Sequence, residues 1–165
     1  MELKLTDKEA NDLLFLSKEI LERYNIKLEE NCKGEINITS PKVPTKFILN
    51  YFIRPGKATL NFRETQYNTC LLRINLNDGF HKNSNNDIVR GNRINIFSEE
   101  EYKNKNDLST HMVAYPLPYK IFEDSSDFVK QLFSVLRYTN TNHNDKIYIE
   151  TKFQLGWWYY EWQWN

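Results

Sequence analysis

Phe47-Ile48-Leu49-Asn50-Tyr51-Phe52-Ile53-Arg54-Pro55-Gly56-Lys57-Ala58-Thr59-Leu60-Asn61-Phe62-Arg63 reads as two strands and the turn between them. Phe47 to Arg54 is rich in aromatic and β-branched residues, as strands are. Proline presets φ at the second turn position and glycine is free to take positive φ at the third, which is a type II turn. Ala58, Leu60 and Phe62 then alternate with Lys57, Thr59, Asn61 and Arg63, so the chain returns as a hairpin partner with one apolar face.

The same alternation spreads in both directions. Cys70, Leu72, Ile74 and Leu76 alternate with Leu71, Arg73 and Asn75, and the run stops at the turn signal Asn77-Asp78-Gly79. After a polar stretch from Phe80 to Gly91, a further run follows at Arg93-Ile94-Asn95-Ile96-Phe97. Two strands joined in this way predict a hairpin whose long polar loop projects into solvent, where binding residues concentrate. His111 to Leu117 is strand-like. Ile36 and Ile38 make a short strand before Pro41 and Pro44, and a last strand starts at Ile147.

Helices flank these strands. Thr6-Asp7-Lys8-Glu9 is a capping box. The apolar stripe Ala10, Leu13, Leu14, Ile20, Leu21 and Tyr24 predicts a helix over Asp7–Tyr24. Phe128, Val129, Leu132, Phe133 and Leu136 keep helical spacing behind the caps Asp124-Ser125-Ser126, predicting a second helix near residues 126–137. The acidic run Ser98-Glu99-Glu100-Glu101 reads as a solvated loop or first helical turn, and Lys103 to Thr110 as loop. Helix, meander, helix and strand make an α+β fold, a mainly antiparallel sheet covered by the N-terminal helix and the second helix. A length of 165 residues is one domain, with an aromatic tail from about residue 156.

The order Leu71-Leu72-Arg73-Ile74, His81-Lys82-Asn83, a strand ending in Phe97, and Val113-Ala114-Tyr115-Pro116-Leu117 resembles a family of small uncharacterised bacterial and phage proteins. That family has a His-x-Asn-Pro-Asp-Gly loop, a Pro-His-x-His-x-Tyr strand and a Trp-Ala-x-Pro-Leu strand. The resemblance covers the middle third of the chain and implies a phage or mobile-element origin. Where the pattern has its two strand histidines, this chain has Arg93 and Asn95, and Ser84-Asn85-Asn86 replaces Pro-Asp-Gly. Guanidinium offers no lone pair, so any metal role in the family is absent here.

Composition removes several function classes. Lys and Arg number 22 against 22 Asp and Glu, so no bulk charge draws the chain to nucleic acid, although a local patch is allowed. Cys32 and Cys70 stand far apart without a CxxC pattern and read as reduced, buried thiols of a cytoplasmic protein. No apolar run approaches the ~20 residues that span a bilayer. His81, His111 and His143 share no metal-ligand spacing, which predicts neither metal nor cofactor. Motifs for acyl transfer, ATP hydrolysis and dinucleotide binding are missing.

Two constellations remain. His81 with Arg90 and Arg93 could supply acid/base and phosphate-binding groups, with Glu99 or Glu64 as a base, for a metal-independent ribonuclease. The tail Trp157-Trp158-Tyr159-Tyr160-Glu161-Trp162-Gln163-Trp164 carries aromatics on both faces of an extended chain. Its candidate binding residues are Trp157, Trp158, Tyr160, Trp162 and Trp164, since Trp and Tyr dominate interface hot spots. The leading expectation is a non-enzymatic, macromolecule-binding protein, for example an inhibitor of a host defence nuclease, with a protein partner and a homodimer left open. The alternatives are the toxin-like ribonuclease and a non-catalytic RNA-binding module.

Overall fold

The computed structural model describes residues 2–151 in full and residues 152 and 159–163 through their backbone. Along the chain it runs α1 (Asp7–Phe15), β1 (Lys18–Glu19), β2 (Tyr24–Leu28), β3 (Cys32–Ile38), β4 (Phe47–Arg54), β5 (Lys57–Glu64), β6 (Cys70–Leu76), β7 (Phe80–Lys82), β8 (Ile88–Arg90), β9 (Arg93–Phe97), α2 (Glu99–Lys105), β10 (Met112–Pro116), α3 (Phe128–Tyr138), β11 (Thr141–Asn142), β12 (Ile147–Lys152) and β13 (Tyr159–Gln163). Six strands form one antiparallel sheet in the order β10-β9-β6-β5-β4-β3. It is the meander that the alternation predicts, with the β7–β8 hairpin inserted between β6 and β9. Arg54 pairs with Lys57 across the Pro55-Gly56 turn, where Gly56 has φ 76°.

One sheet face carries the core. Ile36, Leu49, Phe62 and Leu72 lie in one cross-strand row on it, and α3 packs against this face through Phe128, Leu132, Phe133 and Leu136. Gly34 belongs to the same face. A Cβ there would run into the Tyr51 hydroxyl, so the Tyr51 ring lies directly over the glycine backbone. Leu14 and Leu132 are fully buried. Either change to Ala should cost about 2–5 kcal/mol, readable as a shift in a urea unfolding curve. A loss below about half a kcal/mol for both would mean that their packing is not what holds the helices to the sheet.

The first helix is shorter than its stripe predicts. It ends at Phe15, and Leu16 turns extended at φ −65°, ψ 156°. Leu21, expected on the inner side of a longer helix, is 59% exposed. Lys18 stops the helix. Its ammonium is buried and donates to the carbonyls of Leu14 (2.7 Å), Leu16 (3.0 Å) and Thr139 (2.9 Å). It also lies 5.0 Å from the Phe47 ring centroid and 5.5 Å from that of Phe62. The last carbonyls of a helix need outside donors, and a lysine folded back supplies three.

The chain beyond it becomes strand. β1 pairs in parallel with β11, and β2 in parallel with β12, which in turn pairs antiparallel with β13. Ile20, Ile26, Ile147 and Ile149 are buried there and extend the core. α3 begins at Phe128, capped by Asp127 rather than by Ser126. The acidic run is the first turn of α2, which continues to Lys105, through part of the stretch that reads as loop. Ser98 caps it, and Asp7 and Glu99 each accept the other's backbone N–H, clasping the starts of α1 and α2 together.

Candidate nucleic-acid interface

The strand registers place every second residue of the six-stranded sheet on the face away from α3. One row across it reads Glu35, Asn50, Asn61, Arg73, Asn95, Ala114. The next reads Lys33, Phe52, Thr59, Asn75, Arg93, Pro116, with Arg54 and Lys57 beyond it at the Gly56 turn. Arg63 lies on the same face, opposite Cys70 after a bulge. This face therefore gathers Lys33, Arg54, Lys57, Arg63, Arg73 and Arg93 against a single carboxylate, Glu35. Over β3 to β6 these positions are exposed or half-buried, and among the described residues no helix covers them.

Asparagines set the arginines in place. Asn61 Oδ1 accepts from Arg73 Nε at 2.9 Å, and Asn50 Oδ1 accepts from Arg63 Nε at 3.0 Å. An arginine held by Nε keeps its terminal fork for another partner. Arg63 uses its fork on Asn68 and on Glu35, at 3.9 Å. Arg73 has no ion pair among the described residues and stands half-buried on β6, in the middle of the sheet. Phe52 lies on the same face two strands away, in β4, with the Arg54 guanidinium 4.5 Å from its ring centroid. Cys70, buried and donating to Asn61 at 2.8 Å, has its thiol pushed up to about 11 by burial.

The Phe80–Gly91 stretch does not project into solvent. It forms the β7–β8 ribbon and folds back along β10, the edge of the sheet. Asn83 stands in for a missing strand there: its Nδ2 donates to the Ala114 carbonyl at 3.0 Å and its Oδ1 accepts from the Ala114 N–H at 2.9 Å. Glu101 of α2, buried, accepts from the Ser84 N–H at 3.0 Å and its hydroxyl at 2.6 Å. Lys105 donates to the Lys82 carbonyl. An open sheet edge is an aggregation hazard, and polar side chains that mimic a neighbouring strand remove it.

His81 is half-buried under this ribbon rather than a surface residue, bonded to the Met112 backbone, with Nε2 buried and unpaired. Burial lowers its pKa, and the charges of Lys105 and Arg93 push the same way. Arg90 is on the opposite side of the ribbon: it faces outward, its guanidinium 5.3 Å from the Phe80 ring centroid. The two therefore do not converge. Arg93 is buried and braces the base of the ribbon, donating to Asn77 Oδ1 and the Gly91 carbonyl, both at 2.9 Å. His111 bonds the Cys70 carbonyl at 3.0 Å. His143 packs against Phe133, with ring centroids 5.3 Å apart. Among the described residues no three His, Cys, Asp or Glu side chains come together as a metal site.

Trp157, Trp158 and Trp164 lie outside the described residues. Tyr160 and Trp162 fall in β13, in register with Thr151 and Ile149 of β12. Among the described residues no helix is long and apolar enough to cross a membrane. The residues that sequence reading passed over are Lys33, Arg54, Lys57, Arg63 and Arg73. Their signal was present in the polar half of each alternating strand, where lysine and arginine recur at period 2.

No curated protein and no solved structure matches the chain. The sequence profile of a family of unknown function does match, over residues 5–141, which takes in α1 through α3 and the whole six-stranded sheet; the chain belongs to that family, DUF6978.

Proposed function

We propose that this protein binds single-stranded nucleic acid on the arginine- and asparagine-lined face of its six-stranded sheet, without catalysing a reaction on it. One observation carries the reading: five cations, Lys33, Arg54, Lys57, Arg63 and Arg73, against one carboxylate on the part of this face that no described element covers, in a chain whose net charge is zero. Segregation of that kind is what a polyanion requires locally, and the total charge conceals it. Arginine forks take phosphate oxygens in bidentate fashion, and Phe52 offers a ring on which a base can stack. A flat sheet face has no element that enters the major groove of a duplex, which favours an unpaired strand.

Fluorescence anisotropy with labelled 20-nucleotide RNA and DNA tests this. The affinity should fall steeply between 50 and 200 mM salt. Arg73→Glu combined with Lys57→Glu should weaken binding about tenfold per reversed charge and flatten the salt slope. Absence of binding to either oligonucleotide at 50 mM salt, or an unchanged slope in the double variant, would sink the reading.

A protein partner is a second reading, and β13 favours it. It is an edge strand of the three-stranded sheet and carries Tyr160 and Trp162. An edge strand is a template for a strand from another chain, such as a host nuclease under inhibition or a second copy. A chain ending at Gly156 that keeps nucleic-acid binding but loses a protein partner would assign the two surfaces separately.

A further inference from the structure

We propose that the β7–β8 ribbon is a base-stacking arm of this interface, with Phe80 and Arg90 forming the aromatic–guanidinium pair on which one unpaired base of a single strand stacks. The inference rests on the nucleic-acid reading above and adds a specific contact to it.

The ribbon has two unlike sides. His81 and Val89 pair on the side that packs against the body of the protein, and Val89 is buried. Phe80, Lys82, Ile88 and Arg90 occupy the other, with Phe80 opposite Arg90 and Lys82 opposite Ile88. Phe80 is 57% exposed and Ile88 is 48% exposed. The outward side thus consists of two apolar side chains and two cations, with no carboxylate among them. Asp87, at the turn, has its carboxylate bonded by the Asn85 amide at 3.0 Å.

The exposure of Phe80 is not that of a loose loop tip. Asn83, Ser84 and Lys82 fasten this short ribbon to β10 and α2 at backbone level. A ring held so rigidly loses little freedom on binding, which favours its use as a contact. The Arg90 guanidinium lies over the ring at 5.3 Å and adds a second flat, cationic surface of similar size. Bases stack on aromatic rings and on guanidinium planes alike, and the flanking cations suit the phosphates on either side. An acidic peptide would use the cations but has no stacking group for Phe80.

The experiment uses a single-stranded oligonucleotide carrying one 2-aminopurine, whose fluorescence is quenched when it stacks. Binding to the full chain should quench it. Phe80→Ala and Phe80→Leu should both lose most of the quenching and weaken binding about tenfold, with an unchanged salt slope, because stacking releases no counterions. Phe80→Trp should restore both. Phe80 is exposed, so circular dichroism of all three variants should match the unsubstituted chain. The proposal is overturned if Phe80→Leu binds as tightly as the unsubstituted protein, since the contact would then be apolar packing. It is also overturned if Phe80→Ala leaves quenching intact while Arg73→Glu with Lys57→Glu abolishes binding, an outcome that leaves the sheet-face reading standing. Competition by polyglutamate as strong as by RNA would overturn the reading and the arm together.

Discussion

Lys18→Met is expected to destabilise the protein by about 3 kcal/mol, because it strands three carbonyls at once, two of them buried and one partly so, and each unpaired buried group costs roughly 1–3 kcal/mol. Methionine nearly matches the lysine in volume, so the packing between Phe47 and Phe62 survives and the loss reads out the hydrogen bonds. Two of the three carbonyls end α1, and the third belongs to Thr139, just after α3. The ammonium is therefore a staple between helices. Urea midpoints of the two proteins at pH 7 measure the effect; a difference under about 1 kcal/mol would mean that water replaces the amine.

The same residue predicts a pH dependence. Burial lowers its pKa from 10.5 to about 7, so between these values the unfolded chain binds the proton and the folded one prefers to release it. Stability from this group should therefore rise as pH goes from about 7 towards 10, by up to about 1.4 kcal/mol per unit. Below about pH 7 both states are protonated and the slope should vanish. The Met variant should lack the slope throughout.

Asn83→Leu is the second large effect. It removes the donor and the acceptor that close the β10 edge at Ala114, and a loss of about 2–4 kcal/mol follows from two orphaned backbone groups. The leucine fills the space but cannot bond, so the ribbon should lift locally while the rest of the sheet persists. Hydrogen exchange should show lost protection at Ala114 with β4 and β5 unaffected. Self-association should increase as the edge is bared. Unchanged exchange at Ala114 would mean that the ribbon is held by Glu101 and Lys105 alone.

Most of the sheet was legible because its strands are sequential and half-buried, so period 2 marks each one and a turn signal separates it from the next. Phe47–Arg54 and Cys70–Leu76 end where their side-chain patterns end. What escaped was non-local. Ser17 to Tyr24 continues a helical stripe on paper, and only β11 and β12, brought in from the far end of the chain, make strands of the stretch up to Leu28. A lysine among apolar residues reads as solvated, and nothing near Lys18 in sequence announces Thr139 as an acceptor. The binding face failed to stand out for a related reason. Its cations are spread over β3, β4, β5, β6 and β9, and become one surface only once the register is known. His81 and Arg90 are nine residues apart in a polar stretch, yet the two-sidedness of a hairpin puts them back to back.

The parallel pairing of β1 with β11 has a kinetic consequence. The meander can zip up strand by strand, each step closing a short loop at small entropic cost. The Lys18–Thr139 bond joins residues 121 positions apart, and this lap joint can close only after everything between has condensed. It is then the last part to form and the first to part. Refolding should pass through a chain whose central sheet is complete while its two ends still hang free, and the rate of that final closure, rather than of strand pairing, sets how long Ile20, Ile26 and Ile147 stay exposed to other chains.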